Sequence, residues 1–274
     1  MSSIHVVITR FSFHFNPNKP DPKLLSSERL TRRFELFEAF CYPSVISQTN
    51  QDFIWMILID PTLPELFLKR LQELTRAHPH IYIVPWTHEY HLRDPRWIQK
   101  VLSLDAPYLI TTRLDDDDAL SEHFVETVRS DFRRTKIQDL MLLTYPCGYV
   151  WKSSDGAKSG RLYPLRQPLI AIGLTLIVKL ELCPLTVFFG NHTHLIKILQ
   201  DPVSLRAMGV SSNGDLRYQI RDTRPMYIRS VHDTNDQKHI RVRTQIVSRS
   251  DVAFHLNYQI LCRLNLELRA IPQK

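Results

Sequence analysis

The stretch YLITTRLDDDD, Tyr108 to Asp118, ends an apolar, β-branched run in four consecutive carboxylates. Adjacent like charges repel, so the run needs either open solvent or a cation that offsets the repulsion. Three readings compete. At a helix start, acidic side chains gain about 0.3–1 kcal/mol each from the helix dipole, which suits Asp118 but not Asp115 and Asp116 beside the strand. As a solvated acidic turn the four would have no role. In a metal site, Asp115 and Asp117, two residues apart at a strand end, point the same way across a tight loop. Hard divalent cations such as Mn²⁺ or Mg²⁺ take one or two such carboxylates together with substrate phosphates.

The surrounding elements decide where the aspartates fall. IHVVITRF (4–11), FIWMILID (53–60), HIYIVPW (80–86), YLITTRL (108–114) and DLMLLTYP (139–146) read as strands that are apolar on both faces. A helix capped by Ser26 or Ser27 follows the first, with Leu30, Phe34, Phe37 and Cys41 on one face and Pro43 as its stop. PELFLKRLQELTRAH (64–78) gives a second helix with proline in its first turn. Residues 95–104 form a short third helix, and Phe124, Val125, Val128 and Phe132 mark a fourth. This alternation predicts an α/β fold with a mostly parallel sheet flanked by helices. Ligands of such sheets bind beyond the carboxyl ends of the strands. Thr9-Arg10, Asp60 and the aspartate run all lie at those ends, and their convergence favours a site over a solvated turn.

Beyond residue 147 the pattern changes. GYVWKSSDGAKSGRLYPLR suggests a hairpin or irregular insertion, and LIAIGLTLIV (169–178) a buried strand, too short for the roughly 20 residues that cross a bilayer. A turn near Asn191, a late strand in PMYIRSVH (225–232) and an amphipathic helix over 253–266 complete the chain. No linker is evident, so residues 1–274 read as a single domain with halves 1–146 and 147–274.

Composition is that of a globular protein: 43% hydrophobic, 23% charged, with only 7 glycines and 17 scattered prolines in 274 residues. The net charge of +7 favours anionic partners. The basic residues are dispersed, which argues against a nucleic-acid stripe. Cys41, Cys147, Cys183 and Cys262 form no CxxC pair and fit reduced thiols. With no signal peptide evident in MSSIHVVITRF, a cytoplasmic location is expected, with peripheral contact to an anionic inner membrane face compatible with the charge.

RLDDDDAL at a strand end resembles the D-x-D segment of GT-A-type nucleotide-sugar glycosyltransferases. More narrowly, it is similar to the R-L-D-x-D-D-A-L segment of the putative rhamnosyl transferase family. ITRF (8–11), RRFELFEAFCYPSVISQTNQDFIWMILID (32–60) and VHDTN (231–235) agree with that family. The resemblance implies a GT-A-like, Rossmann-like sheet whose first half binds the donor, with a smaller mixed acceptor-side half. It implies a divalent cation, Mn²⁺ or Mg²⁺, held by Asp117, Asp115 and His232 against the donor diphosphate. Thr9, Arg10, Phe11 and Asp60 would meet base or ribose, Arg33 and Arg113 the phosphates, and Asp116 the donor. An acceptor base is needed for inversion; Asp118 and the His192/His194 pair, His194 foremost, are the candidates. The implied partners are a nucleotide-sugar donor, possession of which defines the class, and a glycan or lipid-linked saccharide acceptor. No nucleic acid is expected. The alternatives are a metal-dependent nucleotidyltransferase using the same aspartates, against which the missing Gly-rich phosphate loop counts, and a non-catalytic basic module for nucleic acid or membrane.

Overall fold

The computed structural model describes residues 2–13, 21, 23–135, 139–153, 160–211, 216–221, 224–232 and 253–257. Strand β1 (Ser3–Phe11) leads to helix α1 (Ser27–Leu36), whose N-terminus is capped by Ser26 accepting from the Arg29 N–H. The helix does not stop at Pro43. It widens into a π turn over Phe37–Cys41 and continues as α2 (Tyr42–Ile46). Pro43 falls in the first turn of that new segment, where its missing N–H is tolerated, so the expected stop becomes a bulge.

Next come β2 (Ile54–Ile59), α3 (Glu65–Thr75), β3 (Ile81–Pro85), α4 (Arg96–Gln99), β4 (Tyr108–Asp115), the two-residue β5 (Ala119–Leu120), α5 (Phe124–Arg134) and β6 (Leu140–Thr144). The hairpin β7 (Cys147–Ser153) and β8 (Gly160–Arg166) follows, then β9 (Thr175–Lys179), α6 (Leu195–Leu199), α7 (Pro202–Ala207), β10 (Leu216–Ile220) and β11 (Tyr227–Val231). Only the second half of the apolar run 169–178 is strand; Leu169 and Gly173, both at positive φ, bend the first half into a loop. The helix expected over 253–266 is not seen in residues 253–257, and its remainder lies outside the described residues.

Seven strands form the main sheet in the order β10-β6-β9-β4-β1-β2-β3. β1 runs parallel to β2 and β4, and β2 to β3. β9 alone is reversed, antiparallel to both β4 and β6, with β10 parallel to β6. The α/β architecture with a mostly parallel sheet is therefore present. Both faces are buried: Val7, Phe11, Trp55 and Ile57 pack with α1, α3 and α5 on one, while Val6, Ile8, Met56 and Leu58 pack with Trp86 and Trp97 on the other. A second sheet, β5-β11-β7-β8, lies over Leu36, Ala39 and Phe40 through Trp151 and Ile228. It brings the end of β11 to the aspartate loop.

Candidate active site

β4 ends in Arg113-Leu114-Asp115, and Asp115 pairs in register with Arg10 on β1. Side chains alternate along a strand, so Arg10, Arg113 and Asp115 share a face while Thr9, Phe11 and Leu114 point the other way. Arg10 Nη2 lies 2.9 Å from Asp115 Oδ1, and Arg113 Nη2 lies 3.0 Å from Asp115 Oδ2. Both guanidinium groups also sit over the Phe188 ring, at 5.5 and 5.7 Å. Burial opposes ionisation of Asp115, but the two arginines outweigh it and hold the carboxyl far below its usual range.

The chain then turns, with Asp118 N–H donating to the Asp115 carbonyl at 3.2 Å. Asp116 forms a two-pronged pair with Arg33 of α1, Nε to Oδ2 at 3.0 Å and Nη2 to Oδ1. The same guanidinium donates Nη1 to Asp117 Oδ2 at 3.0 Å. His232, just past β11 and with a fully buried side chain, places Nε2 2.9 Å from that same oxygen. Burial raises the Asp117 pKa, yet Arg33 and His232 together bring it below the usual value. Asp118 differs: its Oδ1 accepts the Ser230 N–H at 2.9 Å, and burial, with the charges of Asp117 and Asp115, pushes its pKa well up.

Arg10, Arg33, Arg113 and Asp115 to Asp118 line a cavity of about 500 Å³ at the carboxyl edge of the sheet. Arg29, one helical turn before Arg33, and Arg229 bring further positive charge, and Ile170 and Ile172 supply an apolar wall. That wall is fixed by the Arg113 backbone, which exchanges hydrogen bonds with Gly173 N–H (2.8 Å) and the Leu174 carbonyl (2.9 Å). Buried polar groups are rarely left unpaired. Here Arg10 Nε, Arg29 Nε, Arg113 Nε, Ser12 Oγ and Ser230 Oγ, all on residues that line the cavity, are buried without a hydrogen-bond partner. Ser12 also holds φ at 48°, a strained conformation of the kind concentrated at binding sites.

Of the residues singled out in the sequence, the cavity gathers Arg10, Arg33, Arg113 and Asp115 to Asp118. It does not gather five others. His232, with a fully buried side chain, lies outside the lining and reaches Asp117. Thr9 is fully buried and accepts from Trp55 Nε1 at 2.9 Å. Phe11 packs in the core against Phe34 and Phe37. Asp60 closes the turn after β2, accepting from Thr62 N–H and Oγ1 at 2.9 and 2.6 Å. His194 is exposed on a 3₁₀ turn, whereas His192 and Thr193 reach the cavity. Burial and Arg113 lower the His192 pKa, which favours neutral imidazole. Arg29 was legible as the i−4 neighbour of Arg33. Ser12, Arg229 and Ser230 carry no signal in the sequence, since tertiary folding alone places them.

The donor set suits a divalent ion at Asp117. Its Oδ2 and the His232 Nε2 are hydrogen-bonded at 2.9 Å, and an ion held by both would replace that bond. No group of three His, Cys, Asp or Glu donors gathers among the described residues. An ion there would complete its shell with phosphate oxygens and water. Asp115, expected in this set, is instead committed to Arg10 and Arg113.

Fold and cavity define an α/β protein with an acidic and arginine-rich site at the carboxyl edge of a mostly parallel sheet. The chain belongs to the family described as "Putative rhamnosyl transferase", whose model matches residues 5–203. VHDTN (231–235), and with it His232, lies beyond that match. No curated protein matches the sequence. Among solved structures, Staphylococcus aureus TarS 1–349 in complex with UDP-GlcNAc is similar at 11% identity and a TM-score of 0.43, covering 95% of this chain and 65% of that one. HddC from Yersinia pseudotuberculosis is similar at 11% identity and 0.37, covering 82% and 93%. A "putative nucleotide-diphospho-sugar transferase" from Desulfovibrio desulfuricans G20 is similar at 11% and 0.39, covering 85% and 82%. The chain spans 60–65% of the length of the TarS 1–349 structures. The fold class stands on strand order and register, independently of these distant likenesses. No helix among the described residues is long and apolar enough to cross a membrane.

Proposed function

We propose that the protein is a divalent-metal-dependent glycosyltransferase that moves a sugar, rhamnose by the family's description, from a nucleotide-sugar donor to a glycan or lipid-linked acceptor. One observation carries this reading: four consecutive aspartates and five arginines line one cavity at the sheet's carboxyl edge. A nucleoside diphosphate is the ligand that uses both kinds of group at once. Arginine N–H groups take the phosphate oxygens, while Asp117 and His232 would hold Mn²⁺ or Mg²⁺. The ion, when bound, supplies Lewis-acid neutralisation of charge on the departing diphosphate.

The chain's own residues account for the remaining work. Arg10 and Arg113 are held by Asp115 and the Phe188 ring, so both guanidinium groups stand at the cavity already oriented. Asp118, its pKa raised and one oxygen fixed by Ser230 N–H, is the carboxyl placed to take the proton of an acceptor hydroxyl. His192, kept neutral, is the second group able to do so. The positive net charge suits an acceptor presented at an anionic membrane surface, with the protein at its cytoplasmic face.

A donor-hydrolysis screen across nucleotide sugars, with Mn²⁺ or Mg²⁺ and with chelator, tests the reading. Hydrolysis of one nucleotide sugar, lost with chelator and in Asp117→Asn, is the expected result. Hydrolysis unchanged in Asp117→Asn, or no nucleotide sugar turned over and no nucleoside diphosphate raising the melting temperature, would sink it. A nucleotidyltransferase would instead release pyrophosphate from a nucleoside triphosphate in the same assay.

A further inference from the structure

Asp117 Oδ2 already has two partners, Arg33 Nη1 at 3.0 Å and His232 Nε2 at 2.9 Å. The Arg33 guanidinium is therefore where a cation at Asp117 would need to be or to touch. Its side chain is 12% exposed, and its other two nitrogens, Nε and Nη2, donate to Asp116. A dication entering beside this fixed guanidinium meets a like charge at close range in a poorly solvated site, which strongly disfavours its binding alone. A diphosphate reverses the balance: it offers oxygens to both cations, so Arg33 can leave Asp117 for phosphate while the ion takes the freed carboxylate oxygen.

We propose that Arg33 makes metal entry conditional on the diphosphate: the guanidinium occupies Asp117 until phosphate oxygens draw it away. The inference rests on the metal reading above, and extends it from which residues hold the ion to the order in which ligands arrive. Arg33 is thus a positioning residue in one state and a phosphate ligand in the other. By linkage, the diphosphate and the ion each raise the other's affinity by the same factor.

The test is direct titration of the full chain with Mn²⁺ alone, followed by the free-ion EPR signal, and separately with preformed Mn²⁺–pyrophosphate, followed by calorimetry. The proteins are wild type, Arg33→Gln, Arg33→Lys, Asp117→Asn and Arg33→Gln/Asp117→Asn, each first shown to melt cooperatively. Wild type is expected to bind Mn²⁺ alone at least tenfold more weakly than Arg33→Gln, with the gain abolished in the double variant. Arg33→Lys, which keeps the charge but not the fork, should fall between them. For Mn²⁺–pyrophosphate the order of wild type and Arg33→Gln should reverse. If wild type binds Mn²⁺ alone as tightly as Arg33→Gln, and Asp117→Asn abolishes both, the metal reading stands and the gating role is overturned. If none of the proteins binds Mn²⁺ in either form, both fall, and Arg33 is the resident cation of the site.

Discussion

Asp117 and His232, 115 positions apart in the chain, meet at 2.9 Å between Oδ2 and Nε2 with the imidazole wholly buried. Two separate devices make this contact. The turn after β4 swings Asp117 inward, and β11 pairs with β5 and β7 so that its end delivers His232. Asp117→Asn keeps the shape and removes the charge. Donor hydrolysis should fall by on the order of 10²–10³-fold, the usual cost of losing one preorganised electrostatic contact to the transition state. His232→Gln should weaken metal affinity roughly 10–100-fold. Initial rates against Mn²⁺ concentration check both; saturation restored by excess Mn²⁺ in His232→Gln but not in Asp117→Asn is the expected pattern.

Asp118 separates structure from chemistry. Its Oδ1 accepts the Ser230 N–H, a contact an asparagine carbonyl can keep. Asp118→Asn should therefore melt close to wild type while losing turnover. Asp118→Ala should also lose stability, by about 1–3 kcal/mol for the buried N–H left unpaired. Paired melting and activity measurements test this. An active Asp118→Asn would shift the role of base to His192, whose replacement by glutamine is then the informative variant.

Much of the fold was legible because buried parallel strands are continuous apolar runs, and each of the first four lies within two residues of its expected bounds. The aspartate run could be placed at the sheet's carboxyl edge for the same reason. The errors at that edge have a simple cause. A strand end says which edge a residue reaches but not which face. Alternation from Val7 through Phe11, both core residues, sends Thr9 into the helix-side core and leaves Arg10 alone toward the cavity. Asp60 was misread because Asp-x-Thr after a strand serves equally as a turn cap. The reversal of β9 and the approach of Ser230 are long-range pairings, and nothing local in the chain encodes them.

Gly148 on β7 lies directly beneath the Tyr227 ring of β11, and a Cβ there would fall well inside van der Waals contact with Cζ and Cδ2. The ring cannot retreat: Tyr227 is fully buried and its hydroxyl donates to the Pro146 carbonyl at 2.9 Å. Gly148→Ala should destabilise the chain by about 1–3 kcal/mol, the usual cost of overpacking. Because β11 carries Ser230 and leads to His232, metal affinity should fall with it. Urea unfolding and Mn²⁺ titration on the same variant check the two effects together. Gly148→Ala with wild-type stability would show that β11 is free to shift.

His5 gives the fold a pH limit apart from the site. It is buried on β1 beside β4, with Nε2 2.8 Å from Thr112 Oγ1, which in turn lies 2.8 Å from Thr175 Oγ1 on β9. Burial, and secondarily the charge of Arg129, lower its pKa from 6.5 to about 3, so it is neutral in the native state. Between those values the unfolded chain binds a proton that the folded chain does not, and stability therefore falls as pH drops through this window. The contribution is whole above pH 6.5 and declines by up to about 1.4 kcal/mol per pH unit toward pH 3. His5→Gln keeps a polar partner for Thr112 but cannot titrate. Urea unfolding at pH 7, 6 and 5 should show wild type losing stability faster than the variant over this range; parallel losses in the two proteins would mean that other groups, not His5, set the acid limit.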